Sequence, residues 1–265
     1  MQAHTPAAGL AVQAHAPAAQ EVEFASFGRS RLTVERAQSA DPRGAWNDSP
    51  GACFTGTMLS FDPAHESVQN IYKLMIGAIV PRPIAFVSSL DGRGVRNLAP
   101  FSFFNGVCAD PPVVLFCAAV RSEDAKRGIG AHKDTLLNVI ATREFVVNIV
   151  TETIAEKMNL TSAQVPPEVD EFELAGLTPL PSELVKPARV AESPVHMECR
   201  LRQIVEISDR VHGSAIVLGD VLRFHVREDV VENYRIDADR LAAIGRMGGP
   251  TYTRTRDRFD LKRPD

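Results

Sequence analysis

The sequence predicts a mainly β chain with a few helices, its strands closing into a barrel. Short apolar runs rich in Val, Ile and Phe recur between residues 79 and 226, most of them bounded by Gly, Pro or Asp. One pair is joined by a hairpin signal, Asp91-Gly92-Arg93-Gly94. Two long runs, 195–207 and 214–226, follow one another with only a short polar break. Strands in succession with hairpin connections suit a barrel, because closure removes exposed sheet edges.

Residues 1–57 stand apart. Eight of the first twenty are alanine, prolines interrupt them, and 39–56 is rich in Asp, Pro, Gly and Ser, as linkers are. This segment reads as a disordered N-terminal extension, or as an over-long reading frame ahead of Met58; residues 58–265 read as one domain. Within that domain 79–90 reads as a strand that admits Pro81 and Pro83 only near its start, where ladder bonds are not yet needed. Residues 113–119 (VVLFCAA) read as a buried strand introduced by Asp110-Pro111-Pro112. Leu136, Leu137 and Ile140 have helical spacing in a helix over 133–142, with Asp134 or Thr135 as its cap. A strand over 144–150 and a short amphipathic helix over 151–160 follow. Six prolines make 163–194 an irregular excursion. Gly213 and Gly219 punctuate the last long strand.

Composition excludes several classes of function. The net charge of −4 and pI near 6.0 argue against a dedicated nucleic-acid binder. No apolar run approaches the roughly 20 residues of a membrane span. The start lacks the basic and apolar regions of a secretory signal, so a cytoplasmic protein is expected. Four widely spaced cysteines form no C-x-x-C pair and the seven histidines show no ligand spacing, so reduced thiols and no metal site are expected. Gly92-Arg93-Gly94 lacks the third glycine of a dinucleotide fingerprint and sits in a hairpin. No nucleophile elbow, Walker loop or paired carboxylates stand out. Such a chain borrows its reactivity from a cofactor.

The candidates for holding one cluster after the hairpin. Ser88, Ser89 and Asn97 bracket it, so both arms offer hydrogen-bonding groups to one ligand edge; alternatively they bond the local backbone around the turn. Ala99-Pro100-Phe101-Ser102-Phe103-Phe104-Asn105 mixes rings with small polar groups, which suits a groove for something flat, aromatic and polar at its edges. Its rings are core or cofactor wall. Lys133, Asp134 and Thr135 open a helix, whose free amides and dipole favour an anion, or simply start a surface helix. Arg246-Met247-Gly248-Gly249 reads as a plain turn or as a close backbone approach to a ligand. Arg82 and Arg121 are further cations recommended only by position.

These residues carry a resemblance. P-R-P-I-A-F-V-S-S, G-x-x-N-x-A-P-F-S-F-F-N, D-P-P-V-V-L-F, K-D-T-x-x-N and E-F-V-V-N-I-V occur in that order. M-N-x-T-S (158–162), D-E-F-E-L-A-G-L (170–177), E-S-P-V-x-M-E-C (192–199) and R-M-G-G-x-x-Y (246–252) follow. Together they resemble the flavin reductase-like family with an FMN-binding split β-barrel. The resemblance covers 58–265 and leaves 1–57 unmatched. It implies a homodimer with FMN near the subunit interface. Ser88, Ser89 and Asn97 would contact the ring and its polar edge. Ala99, Pro100, Phe101, Ser102, Phe103 and Asn105 would wrap the ring and ribityl chain. Lys133, Asp134 and Thr135 would hold the phosphate.

The activity so implied is hydride transfer from NADH or NADPH, as a transient co-substrate, to flavin, which needs no acid–base dyad. Reduced flavin would pass to a monooxygenase partner or another acceptor. A flavoredoxin-like FMN electron carrier, reduced by another protein, is the alternative.

Overall fold

The computed structural model describes residues 58–120 and 132–264. The expectation for 1–57, and Arg121, lie outside the described residues.

The hairpin forms where the sequence places it. Strands β1 (Ala85–Leu90) and β2 (Arg96–Phe101) pair antiparallel, with Ser89 opposite Asn97. Asp91 carries the turn, its Oδ1 accepting from the N–H groups of Arg93 and Val95, each at 2.8 Å. Gly94 takes φ of 88°, a region closed to most side chains.

Next come β3 (Phe104–Ala109), β4 (Pro112–Ala119), helix α2 (Asp134–Thr142) and β5 (Glu144–Ile149), with helix α1 (Val68–Ala78) ahead of them all. Helices α3 (Ala155–Leu160) and α4 (Glu171–Ala175) follow, then a small ribbon of β6 (Pro179–Leu180) and β7 (Arg189–Val190). The long strands β8 (Val195–Glu206) and β9 (Ser214–Val226) complete a seven-stranded antiparallel sheet of order β2-β1-β5-β8-β9-β4-β3. Its two outermost strands, β2 and β3, are consecutive in the chain and joined only by Ser102 and Phe103. That short joint forces the sheet to curl until its ends meet, and Cys117 N–H donates to the Phe103 carbonyl at the seam at 2.8 Å. The expected barrel is therefore present.

The barrel interior is filled by rings and β-branched side chains. Phe116 packs between Phe101 and Phe145, with centroids 4.8 and 5.4 Å away, and Ala85, Val87, Val147 and Val217 surround them. Full burial of each such side chain contributes about 1.5–3 kcal/mol. Gly219 is explained here: a Cβ on it would stand 2.3 Å from the Phe145 ring. Alternate residues of β1 and β2, Phe86 and Leu98, face outward into a second core with Met158, Phe172 and Ile244. This second core fixes α3 and α4 against the outside of the hairpin, and with the barrel core on the other face it is why Ile84, Ala85, Phe86 and Val87 are all apolar.

Three expectations on element bounds are corrected. The strand begins at Ala85 rather than Ile79, because Pro81 and Pro83 supply no N–H; between them Arg82 makes only an isolated bridge to Arg246. Ile79 instead caps α1, a helix the sequence reading passed over although Val68, Ile71, Tyr72, Met75 and Ile76 recur at helical spacing; only Ile76 of its residues is buried. The cap of α2 is Lys133, in an extended conformation and without a side-chain cap bond, rather than Asp134 or Thr135. Residues 151–160 divide into a 3-10 turn, Glu152–Ile154, and α3.

Near the C-terminus β12 (Ile244–Arg246) pairs with β13 (Tyr252–Arg254), after a two-residue ribbon of β10 (Val231–Glu232) with β11 (Arg235–Ile236). Among the described residues no helix is long and apolar enough to cross a membrane.

Candidate functional site

A groove runs along β2 in two adjoining compartments that share Pro100, Lys133 and Ser162. The larger, about 360 Å³, is walled by Arg82, Ser102, Arg246 and Tyr252 among others. The smaller, about 110 Å³, lies between Asn97, Ala99, Thr135, Thr161 and Glu171.

The smaller end is a closed hydrogen-bond network. Thr135 Oγ1 donates to Asn97 Oδ1 at 2.6 Å, and Ser89 Oγ donates to the same oxygen at 3.2 Å. Asn138 Nδ2 in turn donates to Ser89 Oγ at 3.2 Å. With its oxygen so occupied, Asn97 turns its Nδ2 to Glu171 Oε1 at 2.9 Å, while the other carboxylate oxygen accepts from the Leu98 N–H at 3.0 Å. Glu171 is only 5% exposed. Its position follows from the local sequence. Asp170 caps α4 by accepting from Phe172 N–H, Phe172 and Ala175 plug into the outer core, and Gly176 ends the helix with φ of 59°. Burial raises the Glu171 carboxyl to about 7; the Asp134 charge adds to this, and the N–H groups of Leu98 and Asn97 oppose it.

The larger compartment is held by Arg82. Its Nη1 donates to the carbonyls of Ile76 and Ile79 at 2.7 and 2.8 Å, and its Nη2 to that of Met247 at 2.9 Å. Its Nε reaches Ser102 Oγ at 3.4 Å. This guanidinium therefore pins the end of α1 and the Arg246–Gly249 turn to the start of the hairpin. Arg246 lies over the Tyr252 ring at 4.5 Å and donates to the Gly249 carbonyl at 2.6 Å. Lys133 Nζ, at the joint between compartments, stands 4.9 Å over the ring of Phe101.

Of the expected site residues, Asn97, Ala99, Pro100, Ser102, Lys133 and Thr135 line the groove together. Ser89 stands behind Asn97 as its support. Ser88 is fully buried on the opposite face of β1 and donates to the Ala188 carbonyl. Phe101 belongs to the barrel core, and the Phe103 ring lies 5.9 Å from the Arg82 guanidinium. Asn105 is exposed on β3 and accepts from Gly106 N–H at 2.8 Å. Asp134 is the first residue of α2 and acts on Glu171 through its charge. Sequence reasoning on single residues missed Thr161, Ser162, Glu171 and Tyr252. The signal was present, since all four fall inside the motifs at 158–162, 170–177 and 246–252.

The residues present fit FMN: Arg82, Lys133 and Arg246 line the groove, and a network of fixed polar groups stands at one end. The arrangement can bind an anion-bearing, partly flat molecule.

A family model described as a flavin reductase like domain matches residues 76–244. An uncharacterized protein of Aquifex aeolicus is 41% identical over 194 residues, 73% of this chain and 94% of that relative. Among solved structures, nitrilotriacetate monooxygenase component B from Bacillus cereus is 38% identical with a TM-score of 0.72, covering 78% of this chain and all of that one. The 2-nitrobenzoate 2-nitroreductase NbaA of Pseudomonas fluorescens is 33% identical with a TM-score of 0.68, covering 78% and 96%.

Proposed function

The chain belongs to the flavin reductase-like family, and from that premise we propose that it is an FMN-binding oxidoreductase that passes a hydride from NADH or NADPH to flavin. The observation that carries this reading is the two-compartment groove, with Lys133 at its joint and the Asn97 network at its closed end.

In this reading Lys133, Thr135 and Asn97 hold the phosphate. Thr135 bonds Asn97 directly, so the two mark one end of the groove, and an extended FMN cannot place its ring edge and its phosphate there together. The start of α2 and the Lys133 charge favour the anion. Asn97 therefore moves from the ring edge to the phosphate end, while Ala99, Pro100 and Ser102 line the path to the ring. Ser102, fixed by Arg82, and Tyr252, covered by Arg246, shape the wider compartment for the flat part. When bound, FMN supplies the redox chemistry. The chain's own task is to orient it and leave one face accessible, and this asks for no acid–base residue.

The likeness to component B of a nitrilotriacetate monooxygenase supports a monooxygenase as the consumer of reduced flavin. Pairing with a second copy is supported by α1, which helps wall the groove through Tyr72 and Ile76 yet leaves Val68, Met75 and Ile79 exposed.

The test is a steady-state assay of NADH and NADPH oxidation with added FMN. Turnover with either nicotinamide supports the reading. Tight FMN binding without oxidation of either would replace it with an electron carrier.

A further inference from the structure

Glu171 has no part in the mechanism above, yet it forms a wall of the compartment assigned to the phosphate. It is a buried carboxyl held by neutral N–H groups, those of Asn97 and Leu98. A single carboxamide separates it from Thr135 at the start of α2. It is also close enough to feel the Asp134 charge there. An anion that settles between Lys133 and Thr135 thus brings negative charge against a carboxylate that water scarcely reaches. Like charges at short range in a poorly solvated site drive one of the two to take a proton.

We propose that the Glu171 carboxylate takes up one proton from solvent when a phosphate monoester enters this end of the groove, so that FMN retention weakens as pH rises. The proposal rests on the flavin reading above. The step is protonation alone: solvent supplies the proton, the carboxylate becomes a carboxylic acid, and no bond of the ligand changes. The neutral acid then has an O–H to offer a phosphate oxygen. Burial already raises this carboxyl to about 7, so the proton uptake falls in the neutral range.

Other charged and titratable groups belong to the elements that carry this site. Lys133 shares the compartment wall, Asp134 starts α2, and His132 precedes them. On α4 itself, Asp170 and Glu173 are both paired with Arg96. Each of these persists in Glu171→Gln, so the difference between wild type and variant isolates Glu171.

Two measurements test the proposal on the full-length protein. In the first, FMN is titrated by fluorescence at about pH 6 and about pH 8.5 into wild type and Glu171→Gln. One unit of pKa change is a factor of ten, so the loss of affinity across that range is expected to be about tenfold larger in wild type. In the second, wild-type binding is followed by calorimetry in two buffers of different ionisation enthalpy. At about pH 8 a free phosphate monoester has already lost its second proton, so FMN itself contributes little to the balance. About half a proton or more should be taken up with FMN, and much less with riboflavin, which has no phosphate. The calorimetry needs no variant, so it stands even if Glu171→Gln folds poorly. Equal pH dependence in both proteins, or equal uptake with both flavins, overturns the proposal while leaving the flavin reading intact. Failure of wild type to bind FMN at any pH overturns the flavin reading itself.

Discussion

Arg82 and Met247 are 165 positions apart in the chain, and the guanidinium of the first donates to the carbonyl of the second at 2.9 Å. The same side chain serves the carbonyls of Ile76 and Ile79, so one residue joins three segments around the groove. Hydrogen bonds from a charged donor contribute about 1.5–3 kcal/mol each, and buried acceptors left without a donor add their own penalty. Arg82→Met is expected to destabilise the protein by about 3 kcal/mol or more, read as a lower urea midpoint at unchanged slope. Arg82→Lys should recover only part, because an ammonium cannot reproduce the planar fork that reaches all three carbonyls.

Lys133→Ala separates the two ends of the ligand. A charge-assisted bond to the phosphate contributes about 1.5–3 kcal/mol, so FMN affinity should fall roughly ten- to a hundredfold. Riboflavin affinity should barely change. Parallel titrations of both flavins check this, and equal weakening of the two would place the phosphate elsewhere.

His196 gives an acid limit to stability. Its Nε2 contacts the Val190 carbonyl at 2.8 Å and so carries the proton, leaving Nδ1 buried with no partner. Burial lowers its pKa to about 4, while the Val190 contact opposes the shift. A base with a lowered folded pKa contributes stability above its unfolded value, about 6.5, and loses it as pH falls through 4. The effect is on the order of 3 kcal/mol at its extreme. Thermal melts from neutral pH to about pH 4 should show a steeper loss in wild type than in His196→Gln.

Glu171 has the opposite sign. Its folded pKa of about 7 lies above the usual 4.5, so its contribution is fully present below 4.5 and is lost as pH rises through 7. In ligand-free protein, wild type should lose stability relative to Glu171→Gln between about pH 5 and pH 8. Denaturation curves at the two pH values check this, and a pH-independent difference would contradict it.

The barrel was legible because its evidence is local. β8 and β9 are long runs, and the Asp91–Gly94 turn carries its own hydrogen-bond chemistry; Gly219 was read only as punctuation, and the close approach of the Phe145 ring is what requires it. Helix α1 was legible in the spacing of Val68, Ile71, Tyr72, Met75 and Ile76 and was passed over; what the spacing does not show is that most of this stripe stays exposed. The groove was legible in part. Lys133 and Thr135 could be read from a helix start, and Asn97 from a hairpin flank. Glu171 was legible only as a member of the motif at 170–177, since its role depends on an amide 73 positions earlier, and Arg82 depends on carbonyls that no pattern of side chains reveals. Ser88 and Ser89, adjacent in sequence, were read together although strand alternation sends them to opposite faces.

The most direct measurement is an anaerobic rapid-mixing experiment on FMN-loaded protein with NADH and, separately, NADPH, following the yellow absorbance of the bound flavin. The account expects bleaching by at least one nicotinamide, at a rate that saturates with its concentration, in the absence of any second protein. Flavin that stays oxidised with both nicotinamides, yet bleaches when a chemical reductant is added, would contradict hydride transfer on this protein and leave it an electron carrier.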